Sequence, residues 1–222
     1  MAETPELLLK EAARFLGIKN NIPPQLEERI NELYNILTET ATPRSVWRIF
    51  QIEAGEVSVT FDDAFSIQGK DLAQILRGCQ RAVLLAATLG SSVDKLIGRL
   101  QATAMDDAVI LNACATAEIE ALCRRAEGEI LRAIGKDSFL TMRYSPGYGD
   151  VPLAESEKII TALCAQKQVG LTLTRTNILV PLKSVTAVIG INKDKREEGG
   201  ECPGCGLQDS CPFRKRGESC GL

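Results

Sequence analysis

The spacing of apolar residues changes several times along this chain, and each change predicts a different element. Between Gln25 and Thr38, Leu26, Ile30, Leu33, Tyr34 and Leu37 recur at the interval of one helical face. Pro23-Pro24 suit the opening of that helix and Pro43 closes the region, so the first 40 residues read as helical. The period then shortens. Val46 to Ile52 is β-branched and aromatic, Ala54-Gly55 supplies a turn, and Val57 to Phe61 alternates with period two, which predicts a hairpin. A short helix is expected over Asp71 to Arg77. From Ala82 to Leu89 no polar residue interrupts the run before Thr88, the pattern of a central strand buried on both faces.

Helical sequence returns at Ser92 to Leu100, with Ser91 or Ser92 as the expected cap. The longest helix is expected from Asp106 to Ile134, a proline-free span that opens on two acidic residues suited to a helix N-terminus. Its Ala113, Ala115, Ala117 and Ala121 permit close approach of neighbouring backbones. Pro146, Gly147, Gly149 and Pro152 make Thr141 to Leu153 a loop. A helix from Ala154 to Gln168 should end at Gly170, and Leu171 to Thr174 and Ser184 to Ile191 read as strands. Strands and helices are interspersed without strict alternation, which predicts an α+β fold: a mixed, largely antiparallel sheet packed with long helices. Residues 1–191 form the expected folded body, 192–201 a charged, glycine-containing linker, and 202–222 a cysteine-rich C-terminal tail.

Composition narrows the chemistry. The chain has 222 residues, 26 basic against 29 acidic side chains and a net charge of −3, so it lacks the basic excess that nucleic-acid binding requires. It has no histidine, which removes imidazole general acid/base catalysis, His-assisted nucleophiles, and imidazole ligation of zinc or cobalt. The longest apolar run falls far short of the ~20 residues that span a bilayer, and the acidic N-terminus lacks the features of a secretory signal. A cytoplasmic location, with no membrane partner, is the expectation. There the eight cysteines are expected as thiols or metal ligands, with Cys79, Cys114, Cys123 and Cys164 as small buried residues.

The loop Arg143-Tyr144-Ser145-Pro146-Gly147-Tyr148-Gly149-Asp150-Val151-Pro152 concentrates groups that recognise a flat, charged ligand. A guanidinium clamps carboxylates, an aromatic ring covers a planar group, and glycine lets a ligand approach the backbone. A plain surface turn with a solvated arginine is the alternative. The loop matches neither phosphate-binding glycine fingerprint.

The Arg-x-x-x-Gly-Tyr pattern of Arg143, Gly147 and Tyr148, with Pro152, Glu157 and Lys158 after it, resembles the S-adenosylmethionine (AdoMet) loop of the activation domain of cobalamin-dependent methionine synthase. The block from Val169 to Thr174 and on through Val180 to Thr186 is similar to the segment that follows in that family, and the resemblance spans roughly residues 45 to 191. It implies an AdoMet-binding component for the reductive methylation, or reactivation, of a corrinoid-dependent methyltransferase such as methionine synthase. Under it, Arg143 binds the methionine carboxylate, Ser145 and Gly147 supply backbone contacts to the adenosyl part, and Tyr148 walls the pocket. A family carboxylate near the ligand's cationic end maps to Glu120, or to Glu118 with a small shift in alignment. The competing reading of Glu120 is an exposed i,i+4 pair with Arg124, worth about 0.2–0.5 kcal/mol. The family's N-terminal aspartate has no clear counterpart, Asp62 and Asp63 being the candidates. No cobalamin module is recognisable, so cobalamin would belong to a partner protein, a one-electron donor would be needed, and methyl transfer to cobalt would occur only in that company. No residue is assigned a catalytic role.

The tail carries Cys202, Cys205, Cys211 and Cys220, enough thiolates for one metal centre. An iron-sulfur cluster fits their uneven spacing and the electron demand of corrinoid reactivation. Structural zinc fits four thiolates too, although only one Cys-x2-Cys knuckle is present, and an unligated tail is the third possibility. Two other functions remain on this footing: an iron-sulfur electron-transfer protein docking a redox partner, and a zinc-stabilised binding module.

Overall fold

The computed structural model describes residues 5–18, 21–135 and 137–193; the linker beyond 193 and the four tail cysteines lie outside them. In chain order the elements are α1 (Pro5–Phe15), α2 (Pro24–Thr40), β1 (Arg44–Ala54), β2 (Ser58–Phe61), β3 (Phe65–Gln68), α3 (Lys70–Ile75) and β4 (Arg81–Thr88). They continue as α4 (Ser91–Thr103), α5 (Met105–Ile134), β5 (Phe139–Leu140), a 3-10 turn (Leu153–Glu155), α6 (Ser156–Ala162), α7 (Ala165–Val169), β6 (Thr172–Leu173), β7 (Leu179–Val180) and β8 (Ser184–Asn192). Two compact units result. One takes the chain up to Val46, Ala86–Gly128 and Ala165–Val185, and the other takes Trp47–Leu85, Glu129–Cys164 and the chain from Thr186 onward.

The first unit is mainly helical, with α1 packed on α2 and α2 on α4. Ile30, Leu33 and Leu37, three of the five residues that define the apolar face of α2, are fully buried. On α5, Ala113, Ala115, Ala117 and Ala121 are buried as well. Their single methyl groups keep neighbouring backbone close, and the Cys114 thiol reaches the Ile30 carbonyl at 3.9 Å. Burial pushes that thiol up to about 12, so it stays protonated and inert. Polar groups fix the register of the two helices. Arg29 donates to Asp107 at 2.8 Å, and that hydrogen bond holds the Asp107 carboxyl below its usual range. Glu118 is only 7% exposed, and it accepts from the Tyr34 hydroxyl and, at 2.8 Å, from the Arg125 guanidinium. Burial, followed by the bond to Glu118, raises the Tyr34 phenol well above its ordinary value.

The second unit is built on a six-stranded sheet of order β3-β2-β1-β4-β8-β5, in which β1–β2, β2–β3 and β5–β8 pair antiparallel. The fold is α+β, as the patterning predicts. β4 is an interior strand and every residue from Ala82 to Thr88 is buried, which is the environment its uninterrupted apolar run demands. β8 is buried from Thr186 to Ile191. Among the described residues no helix is long and apolar enough to cross a membrane.

Several expectations need correction. The α4 cap is Gly90, with no side-chain cap bond, because the Ser92 hydroxyl is turned to the Thr40 carbonyl at 2.7 Å. The helix expected over Ala154 to Gln168 is broken into a 3-10 turn, α6 and α7. The break falls at Leu163-Cys164, where Cys164 takes φ +49 and is exposed rather than buried. Asp62 and Asp63 occupy the β2–β3 turn with φ of +47 and +53, a conformation that hairpin turns require and that aspartate tolerates. The Asp62 carboxylate also accepts the Gln51 N–H at 2.8 Å. The short strands β3, β5 and β7 escape the sequence pattern because two to four residues cannot establish a period.

The fully buried Leu85 of β4 supplies a direct check. Leu85→Ala should lower unfolding free energy by about 2–5 kcal/mol in a urea titration, the cost of lost apolar burial plus a residual cavity.

Candidate functional site

The Arg143–Pro152 loop lies wholly in the second unit, where the edge of the sheet sets its starting position. After β5, the Thr141 N–H donates to the Gly190 carbonyl at 2.9 Å, and the Gly190 N–H donates back to the Thr141 hydroxyl at 2.8 Å. Tyr144 then exchanges both backbone bonds with Val188, at 2.9 and 2.8 Å. Arg143 falls between these two attachments to β8, so its backbone is held while its side chain stays half-exposed.

The chain next turns through Ser145 to Val151. The Tyr148 N–H donates to Ser145 at 3.2 Å, the Gly147 N–H to Val151 at 2.9 Å, and the Val151 N–H to Tyr148 at 3.1 Å. Gly147 has φ +95, and Gly149 has φ +51 with no room for a Cβ, which would overlap the Asp71 carboxylate and the Tyr144 hydroxyl. Pro146 is buried, Ser145 half-buried, and Tyr148 46% exposed. Tyr144 supports that exposed ring from beneath: its hydroxyl donates to the Tyr148 carbonyl at 3.1 Å, and the two rings meet edge-on with centroids 6.5 Å apart.

Two carboxylates staple the loop to the rest of the unit. Asp150 accepts the N–H groups of Lys70 at 2.7 Å and Asp71 at 3.1 Å, at the start of α3. The N-cap of that helix is Gly69, which has no side chain to offer, so a residue about 80 positions away performs the capping. Beyond the loop, the buried Glu155 accepts from Lys158 at 2.8 Å, and Lys158 also donates to the Ser66 carbonyl of β3 at 2.7 Å. Tyr144, Asp150, Glu155 and Lys158 therefore shape the loop, and the sequence marked only part of this. Tyr144 and Asp150 were visible as loop residues and Lys158 as a flanking one, but their partners are too distant along the chain to leave a local signal.

The structure thus brings Arg143, Ser145, Gly147 and Tyr148 together on one anchored loop. Glu120 belongs to the first unit, half-buried on α5. Its helical neighbour Arg124 donates to Glu11 of α1 at 2.7 Å, so the isolated i,i+4 pair is an incomplete description. Glu118, the other candidate, is committed to Tyr34 and Arg125. Cys202, Cys205, Cys211 and Cys220 lie outside the described residues, and among the described ones no group of three or more His, Cys, Asp or Glu is placed to hold a metal ion.

No family model matches this sequence, and no curated protein matches it. Among solved structures, the crystal structure of the MetH reactivation domain bound to AdoHcy aligns with a TM-score of 0.60 and 16% identity, covering 95% of this chain and 83% of that one. At that identity the likeness shows a shared fold.

Asp150→Ala removes the borrowed cap of α3. It should cost about 0.5–2 kcal/mol of stability and speed hydrogen exchange at the Lys70 and Asp71 amides, measured by NMR.

Proposed function

We propose that this protein binds AdoMet on the Arg143–Pro152 loop and presents its methyl group for reductive methylation of a corrinoid carried by another polypeptide. The observation that supports it most is the anchored loop, with a half-exposed arginine and an exposed tyrosine, on a fold shared with a reactivation domain crystallised with AdoHcy. AdoHcy is what remains of AdoMet once its methyl group has gone.

In this reading the Arg143 guanidinium holds the methionine carboxylate in a charge-assisted pair, and its backbone attachments to β8 spare part of the ordering cost of binding. Ser145 and Gly147 contribute backbone groups to the adenosyl part, and the Tyr148 ring, propped by Tyr144, covers one side. The resemblance assigns the carboxylate near the cationic ammonium and sulfonium to Glu120, with Glu118, which accepts from Tyr34 and Arg125, as the alternative. With no histidine in the chain, an imidazole ligand to cobalt must come from elsewhere. A corrinoid cobalt on the partner, with one electron from a separate donor, would accept the methyl group and leave AdoHcy on this chain. The tail cysteines remain candidates for an iron-sulfur centre or zinc. An electron carrier or a zinc-stabilised binding module would rest on that tail alone.

AdoMet at 100 times its dissociation constant should stabilise the fold by ~2.7 kcal/mol, read as a thermal shift, while ATP and NAD give none. Arg143→Ala should weaken AdoMet binding by roughly 1.5–3 kcal/mol and leave the protein folded. No heat and no shift at millimolar AdoMet would end this reading.

Glu120→Gln should lower AdoMet affinity in calorimetry, and an unchanged affinity would move the assignment to Glu118. Glu118→Gln should instead destabilise the unliganded protein by about 1–3 kcal/mol, because a buried hydrogen-bonded charge is lost.

A further inference from the structure

The second unit contains an open cleft of about 460 Å³, within the roughly 300–1,000 Å³ of small-molecule sites. Its walls come from β1, the β2–β3 turn and α6, and the Arg143–Pro152 loop contributes none of its lining. The surface is largely apolar, with Phe65 stacked on Phe61 at 5.2 Å between centroids and Phe50 meeting both rings edge-on. Four charged side chains complete it, and they differ in how far they are already satisfied.

Lys158 is engaged by Glu155 and the Ser66 carbonyl, and Asp62 by the Gln51 N–H. Arg48 and Glu157 have no hydrogen-bond or ion-pair partner among the described residues. The Arg48 guanidinium lies over the Phe50 ring, 4.3 Å from its centroid, which holds the planar group in place with its N–H edge unused. The cleft therefore offers a positioned free cation on the strand wall, a free anion on the helix wall and an aromatic surface. Two positive and two negative side chains line it, so a simple anion meets Asp62 and Glu157 as well as Arg48, and a simple cation meets the reverse. A ligand carrying both charges satisfies both free groups.

We propose that this cleft is a binding site for a small apolar zwitterion of the amino-acid or dipeptide kind, its carboxylate on Arg48, its ammonium on Glu157 and its apolar body against Phe65. The cleft shares no residue with the Arg143–Pro152 loop, although Glu157, Lys158 and Asp62 figure in the sequence resemblance, so AdoMet is included as a competitor.

Isothermal titration with L-phenylalanine and with L-leucyl-L-phenylalanine tests it, each compared with its N-acetyl and C-terminal amide derivatives. At least one zwitterion should bind about tenfold more tightly than either of its singly charged derivatives, the effect of one charge-assisted contact. Arg48→Ala should remove the preference for acid over amide, and Glu157→Gln the preference for free amine over N-acetyl. Both side chains are exposed, so both variants should keep the parental melting temperature. Excess AdoMet should leave probe binding unchanged. The proposal is overturned if neither zwitterion binds saturably, if derivatives bind as well as their parents, or if either substitution leaves its discrimination intact. Competition by AdoMet would overturn the separateness of the site.

Discussion

A strand buried on both faces and both edges is the constraint on which the second unit depends. From Ala82 to Thr88 the chain has no access to water, so every backbone N–H and C=O there needs a partner in a neighbouring strand. β1 and β8 supply those edges. Placing β8 beside β4 leaves the opposite edge of β8 to pair with β5 and Tyr144, and that pairing decides where Arg143 leaves the sheet. The position of the half-exposed Arg143 at the rim thus traces back to residues that never see solvent.

The loop beyond Arg143 shows how polar groups, once satisfied, become positioning devices. Pro-Gly-rich sequence favours turns but leaves many of them open. Asp150 on the start of α3, and the Glu155–Lys158 pair reaching β3, remove that freedom at the two ends of the segment. The Tyr144 hydroxyl does the same in the middle, and the lack of space at Gly149 reinforces it. A loop ordered in this way would lose little entropy on meeting a ligand. The contrast within the same unit is informative. Among the described residues the side chains of Arg48 and Glu157 have no comparable hydrogen-bonded partner, and the Arg48 guanidinium lies instead over the Phe50 ring.

The helical unit uses charge differently. Glu118 on α5 is buried and bonded to both the Tyr34 hydroxyl and the half-exposed Arg125 guanidinium, so removing either partner leaves its carboxylate with one bond fewer. The alanines of α5 make the close approach possible, while Arg29–Asp107 and Tyr34–Glu118 set the register between helices that apolar side chains alone hold loosely. Sequence spacing could not show that Glu118 is tied into the helical unit; its burial and its bonds to Tyr34 and Arg125 do.

The sequence by itself determined the long elements: α2 from its helical spacing, α5 from its proline-free span and acidic opening, β4 from its unbroken apolar run, and the loop from Pro146, Gly147, Gly149 and Pro152. It also offered Arg143, Gly147 and Tyr148 as a pattern, through the resemblance of that short segment to the activation-domain loop. Only tertiary structure decided which carboxylates are spent on the fold, why α6 and α7 are separate, and that Cys164 faces outward. The reason is physical. Periodicity reports the environment averaged over several residues of one element, whereas the Asp150 cap, the Lys158 bond to Ser66 and the cation over Phe50 each depend on where another part of the chain, or a single side chain, comes to rest.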